Sequence, residues 1–271
     1  MEPIALHRDE HRWYEAARRR VSVRRYGAPP AEAQKESLRT LAGALARGGV
    51  RIVPLSGADE VFGHGLMGRR IAGVTYGVGF VADGGTPDWC VGYVCEAFVL
   101  ECAAMGLGTC WTVGTYKQKP AREQVGLRAG ERLLAVTPIG VPAGEALRAL
   151  ADDDRPRKPI LKLTGLSDNE FEALPEWQRE AILCVRSGPS AINRQPWTVR
   201  PEPEGLFLQT GKNTLDAGIA MFHAELAASV NDLRGRWSEH PEGWRFQLTP
   251  DEEEAPPEAE QPPETDTPDE P

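Results

Sequence analysis

Arg20, Ser22 and Arg24 stand at alternate positions near the start of a 271-residue chain. In an extended segment a period of two turns all three side chains to one face, so that two guanidinium groups flank a hydroxyl. Guanidinium groups make forked, charge-assisted contacts to phosphate oxygens, which makes the triplet a candidate phosphate clamp. A second string runs Pro189-Ser190-Ala191-Ile192-Asn193-Arg194-Gln195-Pro196-Trp197. Its amides both donate and accept, which suits the edge of a heterocycle or a polyol chain, and Trp197 would anchor the loop. The third string is Gly106-Leu107-Gly108-Thr109-Cys110-Trp111-Thr112-Val113-Gly114. Glycines after a helix permit left-handed geometry and close backbone approach, so main-chain N–H groups could face a ligand. Each string also has a plainer use: a solvated basic edge with Arg18, Arg19 and Arg25, a turn ahead of a strand, or a helix C-cap. The plain turn has no use for the whole of the second string. Neither a GxGxxG fingerprint nor a GxxxxGK[ST] loop is present.

The elements that must position these strings show an internal repeat. Gly92 to Trp111 matches Gly218 to Trp237 at a constant offset of 126 residues, with Gly92 facing Gly218, Leu100 facing Leu226, Leu107 facing Leu233 and Trp111 facing Trp237. Each copy reads as a helix of about four turns, apolar around most of its circumference, and such a helix needs protein on nearly every side. Two such helices can satisfy each other face to face, as subunits of a symmetric dimer do. Any two buried helices ending in Trp would share part of this likeness.

Around them the pattern predicts helices over 8–20, 33–46 and 175–185, an alternating segment from Val21 to Tyr26, and strands over 50–55, 71–81, 133–139 and 206–209. The second apolar helix starts near Asp216, which could cap it. Residues 143–159 are polar and look like the crossing between halves. The fold class expected is α+β with short, mostly antiparallel strands and no regular βα alternation. The expected division is 8–158 for the first half, 159–249 for a shorter second half and 250–271 for a tail.

Net charge is −9, but Pro250 to Pro271 holds ten acidic residues, seven prolines and no Lys or Arg, which leaves the rest of the chain at +1. Such a tail cannot bury enough apolar surface to offset chain entropy and is expected to be disordered. The five cysteines form no CxxC pair or zinc spacing, so neither a metal nor a disulfide framework is expected, and a reducing compartment is. There is no apolar h-region at the start and no 18-residue apolar run, so a soluble cytoplasmic protein is expected, without membrane or nucleic-acid partners. His223, Glu96, Glu101 and Glu225 lie on the apolar helices, where a structural role is the expectation; His64 lies between two glycines on a loop.

Together, the Arg-x-Ser-x-Arg segment, the PSxxNxQPW segment and GLGTCW with Gly114 beyond it resemble the FMN-dependent nitroreductase family. The resemblance is greatest to its branch in which one polypeptide imitates the usual homodimer. It covers roughly residues 10–248. It implies a nitroreductase-like fold whose two related halves form an internal pseudodimer, with a long apolar helix in each. It implies that Arg20, Ser22 and Arg24 hold the FMN phosphate, joined by a later basic residue for which Arg157 is the candidate ahead of Lys158 and Arg155. It places Val113 and Gly114 by the reactive flavin nitrogen, and Pro189, Ser190, Ala191, Asn193 and Gln195 beside the same flavin from the other half. Because these strings are split between the halves, one FMN per chain is expected. The implied activity is electron transfer from NAD(P)H through flavin to a nitroaromatic, quinone or other small acceptor, in which the cofactor carries the chemistry and no side chain need act as acid or base. The alternatives are a storage or sensor protein for FMN, or a flavin-modifying enzyme. A monomer is feasible through the internal pseudodimer, and a further homodimer is also compatible.

Overall fold

A computed structural model describes residues 10–62, 71–144 and 156–249. The chain opens with α1 (Glu10–Arg19), which has an acidic residue in its first turn and Arg18 and Arg19 in its last, as the helix dipole favours. There follow β1 (Tyr26–Ala28), α2 (Glu32–Leu45), β2 (Val50–Pro54), α3 (Ala58–Val61), β3 (Tyr76–Asp83), α4 (Asp88–Ala104), β4 (Gly108–Thr109), α5 (Gln118–Gln124) and β5 (Glu131–Pro142). The later part holds α6 (Ile160–Thr164), α7 (Asp168–Glu172), α8 (Glu176–Ser187), a 3₁₀ turn at Ala191–Asn193, β6 (Trp197–Glu202), β7 (Gly205–Thr210), α9 (Leu215–Ser229), β8 (Gly235–His240) and β9 (Gly243–Leu248).

Two antiparallel sheets result, ordered β1-β5-β3-β2 with β4 also on β5, and β6-β7-β9-β8. Their wiring is the same. In each, a hairpin-like pair (β2, β3 or β6, β7) feeds the apolar helix, and the last strand (β5 or β9) pairs with the second strand on one side and with the strand after the helix (β4 or β8) on the other. The first sheet adds β1 beside β5. The fold is therefore α+β, built from two pseudodimeric halves.

The apolar helices cross at their two glycines. A Cβ on Gly92 would collide with the Leu215 carbonyl, and one on Gly218 with the Trp89 carbonyl. Leu215 is the 126-offset partner of Trp89, so the contact is reciprocal, as in an isologous dimer interface. The helix ends match too: Leu107 N–H donates to the Cys102 carbonyl at 2.9 Å and Leu233 N–H to the Ala228 carbonyl at 3.1 Å. Both ends turn on a left-handed residue, Gly106 (φ 76°) and Asp232 (φ 58°). Around the crossing Tyr93 meets Phe222 edge-on, Phe80 meets Phe98, and all five cysteines are buried and free.

One part of the fold expectation is corrected. The long apolar helix expected in each half has only 17 residues in α4 and 15 in α9, and neither these nor any other helix among the described residues is long and apolar enough to cross a membrane. The left-handed residues at 106 and 232 end both helices before the stretch does, and the chain beyond them pairs as β4 and β8. The alternating segment Val21–Tyr26 also contributes less strand than its pattern predicts, forming isolated bridges before β1 begins at Tyr26. The β8–β9 hairpin and the short helices α3, α5, α6 and α7 carry no strong period and stand outside the pattern-based expectation. Most of the polar crossing, Arg155 and the acidic tail lie outside the described residues, as does His64.

Candidate functional site

A carboxylate in the middle of an apolar helix must be met by donors, and Glu96 on α4 is fully buried. Trp111 Nε1 donates to its Oε2 at 2.7 Å, and Arg20 Nε lies 4.0 Å from its Oε1. The same Oε1 is 3.0 Å from Nε2 of His223, which comes from α9 of the other half. His223 Nδ1 lies 2.9 Å from the Cys184 carbonyl on α8, and a carbonyl can only accept, so Nδ1 is assigned the hydrogen. Burial, and after it the Glu96 charge, push the Cys184 thiol well above its ordinary range. The imidazole lies against Gly188, where an added Cβ would sit 3.7 Å from the ring. Arg20 of the basic triplet, Trp111 of the glycine string and the residue before Pro189 thus converge on one buried pair. In the sequence Glu96 and His223 stand out only as polar groups on apolar helices; that mismatch is the available signal.

The Pro189–Trp197 loop holds left-handed backbone at three residues with side chains, Ile192 (φ 47°), Asn193 (φ 58°) and Gln195 (φ 48°), a strain that needs support on many sides. The support is visible. Asn193 Oδ1 accepts from Arg157 Nη1 at 3.0 Å and its Nδ2 donates to the Pro156 carbonyl at 2.8 Å. Gln195, 2% exposed, accepts from Lys158 N–H at 2.7 Å and donates to the Arg186 carbonyl at 2.7 Å. Ser190 Oγ accepts from Gln195 N–H at 2.8 Å, and Ala191 N–H donates to Asp216 at the start of α9 at 3.1 Å. Burial raises the Asp216 carboxyl, with the Ala191 bond opposing it. Arg157 also donates to the Gly188 and Ser187 carbonyls at 3.0 and 2.7 Å. The amides expected to meet a ligand are used in holding the loop to residues 156–158 and Arg186, while Ile192 projects outward at 63% exposure.

The basic segment runs beside β4, with Val23 N–H donating to the Thr109 carbonyl at 2.8 Å and Ser22 bridging Thr109 in parallel. Gly108 permits this approach, since a Cβ there would lie 2.7 Å from that of Val23. The triplet does not share one environment: Arg20 is drawn inward to Glu96, Ser22 is exposed, and Arg24 is half-buried with Nη1 3.4 Å from the Ser22 carbonyl. Beyond β4, Val113 is exposed and Gly114 adopts φ 77° with open space where a Cβ would be. Thr109 Oγ1 is buried without a hydrogen-bond partner among the described residues. An unused hydroxyl, an exposed serine beside a half-buried arginine, and open backbone at Val113 and Gly114 fit a phosphorylated, planar ligand. Pro189 is buried behind the loop. Phe80 and Tyr76 lie in the core, where Phe80 packs on Trp111, and Trp89 stacks on Trp244. A separate open depression of about 550 Å³ is lined by Lys158, Pro196, Trp197, Thr198, Gln209, Thr210 and Glu242.

A family profile described as "Putative TM nitroreductase" matches residues 12–228. The chain belongs to this nitroreductase family. A crystal structure described as a "putative nitroreductase" from Thermotoga maritima superposes on this nitroreductase with a TM-score of 0.61 at 20% identity, over 92% of this chain and 100% of that one. A nitroreductase family protein from Clostridium novyi matches at TM-score 0.41 and 15% identity, over 49% of this chain and 87% of that one. An FMN-dependent nitroreductase from Clostridium difficile matches at 0.39 and 14%, over 59% and 96%. No curated protein sequence matches the chain.

The other half of the nitroreductase presents a second Trp–Glu unit. Trp237 Nε1 donates to Glu225 at 3.1 Å, and Tyr93 from the first half also hydrogen-bonds that carboxyl. Burial pushes Glu225 up to about 7 against those two bonds. Where the first half has Gly108 the second has Arg234, which donates to the Ser229 carbonyl at 3.2 Å and Oγ at 3.0 Å and lies 3.6 Å from Glu10. Ser229 Oγ in turn donates to Glu10. This end of the second helix is therefore filled by the protein's own side chains.

Proposed function

We propose that this nitroreductase is an FMN-dependent oxidoreductase that passes electrons from NAD(P)H to a small electron-poor acceptor, such as a nitroaromatic or quinone, at one site between its halves. The observation that carries the reading is the meeting, at the Glu96–His223 pair, of Arg20 and Trp111 from two strings of the first half and Gly188, which leads into the third string in the second half. Family membership supports the same activity.

Bound FMN would supply reversible hydride chemistry, which the side chains themselves lack. Ser22 and Arg24, at the surface, would hold the phosphate, with Arg20 adding its charge from below. Backbone N–H groups around Val113 and Gly114 would face the ring and favour negative charge developing there. Pro189, Ser190 and Ala191 would border the ring from the second half, while Arg157, Asn193 and Gln195 hold that loop in its strained shape. Val113 and Ile192, both apolar and exposed, would offer an apolar surface to a planar acceptor.

The test is spectroscopic. Protein incubated with FMN and desalted should stay yellow, and anaerobic NADH or NADPH should bleach it. Protein that emerges colourless rejects the cofactor; full loading with no bleaching by either nucleotide rejects the electron transfer.

A further inference from the structure

Resting on that reading, we infer that Glu96 and His223 are positioning residues, a buried bridge that sets the Pro189–Trp197 loop in register with the phosphate-side and ring-side segments of the first half. The two first-half strings also pair directly, Val23 N–H with the Thr109 carbonyl, and the bridge carries that pair across to the second half. Glu96 takes Trp111 Nε1–H on one oxygen and meets Arg20 and His223 on the other. Trp111 lies two residues before Val113, and Arg20 two before Ser22, so the carboxylate governs both first-half segments through neighbours along the chain. His223 reaches the second half twice, through the Cys184 carbonyl at 2.9 Å and through ring contact with Gly188, the hinge from α8 into the loop. Gly188 is also gripped by Arg157, which holds Asn193. A shift of His223 would therefore be transmitted to Asn193 in three steps, through Gly188 and Arg157.

The groups facing the pair are Arg20 from the segment after α1, Trp111 after β4, and Cys184 from α8, with Cys95 next to Glu96 on α4. Glu96 is met by Arg20 and His223 at one oxygen and by Trp111 Nε1–H at the other. This explains why a carboxylate and an imidazole are retained in a helix crossing that leucine or phenylalanine would fill with less desolvation cost.

His223→Gln leaves an amide that can still hydrogen-bond Glu96; His223→Phe keeps a ring and breaks the bridge. FMN dissociation constants by flavin fluorescence and the visible spectrum of bound FMN should be compared across wild type and both variants, well below their unfolding temperatures. The expected result is affinity weakened by roughly tenfold or more in His223→Phe, with the bound spectrum moving toward that of free FMN, and affinity within about threefold of wild type in His223→Gln. A purely packing role would lower thermal stability without separating the two variants in affinity or spectrum. Folded His223→Phe with wild-type affinity and spectrum overturns the inference. If His223→Phe does not fold, Glu96→Gln is measured against the same tenfold expectation and decides in its place. Wild type that binds no FMN defeats the proposed function instead, a result read before any variant is made.

Discussion

Glu96 and Glu225 are both carboxyls buried on apolar helices and both accept an indole N–H, yet they are treated differently. Glu96 has Arg20 and His223 beside it, whereas Glu225 is bonded by Trp237 and Tyr93, and burial raises its carboxyl to about 7 against those bonds. A raised carboxyl holds its proton more firmly in the folded state than in the unfolded one, where it titrates near 4.3. Its contribution to stability is therefore present below that value and is lost as pH rises toward 7. Replacing it by Gln, which keeps an acceptor for Trp237 and removes the ionisation, should raise stability relative to wild type by on the order of 3 kcal/mol as pH goes from 4.5 to 8. Denaturant melts of both proteins across that range would show it, and a difference independent of pH would refute it. In the sequence the two glutamates look alike, because what stands beside Glu96 comes from residues distant in the chain, His223 more than 100 positions away and Arg20 at the end of another helix.

At the scale of elements, the crossing of α4 and α9 is the decisive contact. The repeat is legible because an all-round apolar helix is unmistakable in composition, and the register comes from glycines that let two backbones touch. Neither glycine can take a side chain without moving the partner helix. Gly218→Ala should therefore cost about 3 kcal/mol or more, an overpacking effect at the upper end of its usual range, and lower the melting temperature by roughly 6 to 12 °C. Calorimetry measures this directly, and a fall of under about 2 °C would mean that the helices separate freely. The helix lengths are less legible. Gly106 is a recognisable stop, but Asp232 takes the same left-handed turn with a side chain, held because Leu233 N–H must still reach the Ala228 carbonyl.

For the whole molecule, duplicated wiring with unequal filling predicts a single flavin. Gly114, with Ser22 and Arg24 on the segment beside β4, follows the C-terminal end of α4, while Arg234, Glu10 and Ser229 fill the corresponding end of α9. Titration with FMN followed by calorimetry should saturate at one equivalent per chain, and two equivalents would show that the Arg234 end also opens. By itself the sequence determined the two apolar helices, the α+β class, the three strings and their division between halves. Those features depend on local composition and on spacing along the chain. Only the tertiary structure decided that Arg20 turns inward while Arg24 stays near the surface, that Asn193 and Gln195 spend their amides on residues 156–158 and Arg186, and that Glu96 and His223 join the halves. The physical reason is that a hydrogen-bonding group takes whichever partner burial brings to it, and here those partners come from other elements of the fold, for Glu96 from the opposite half.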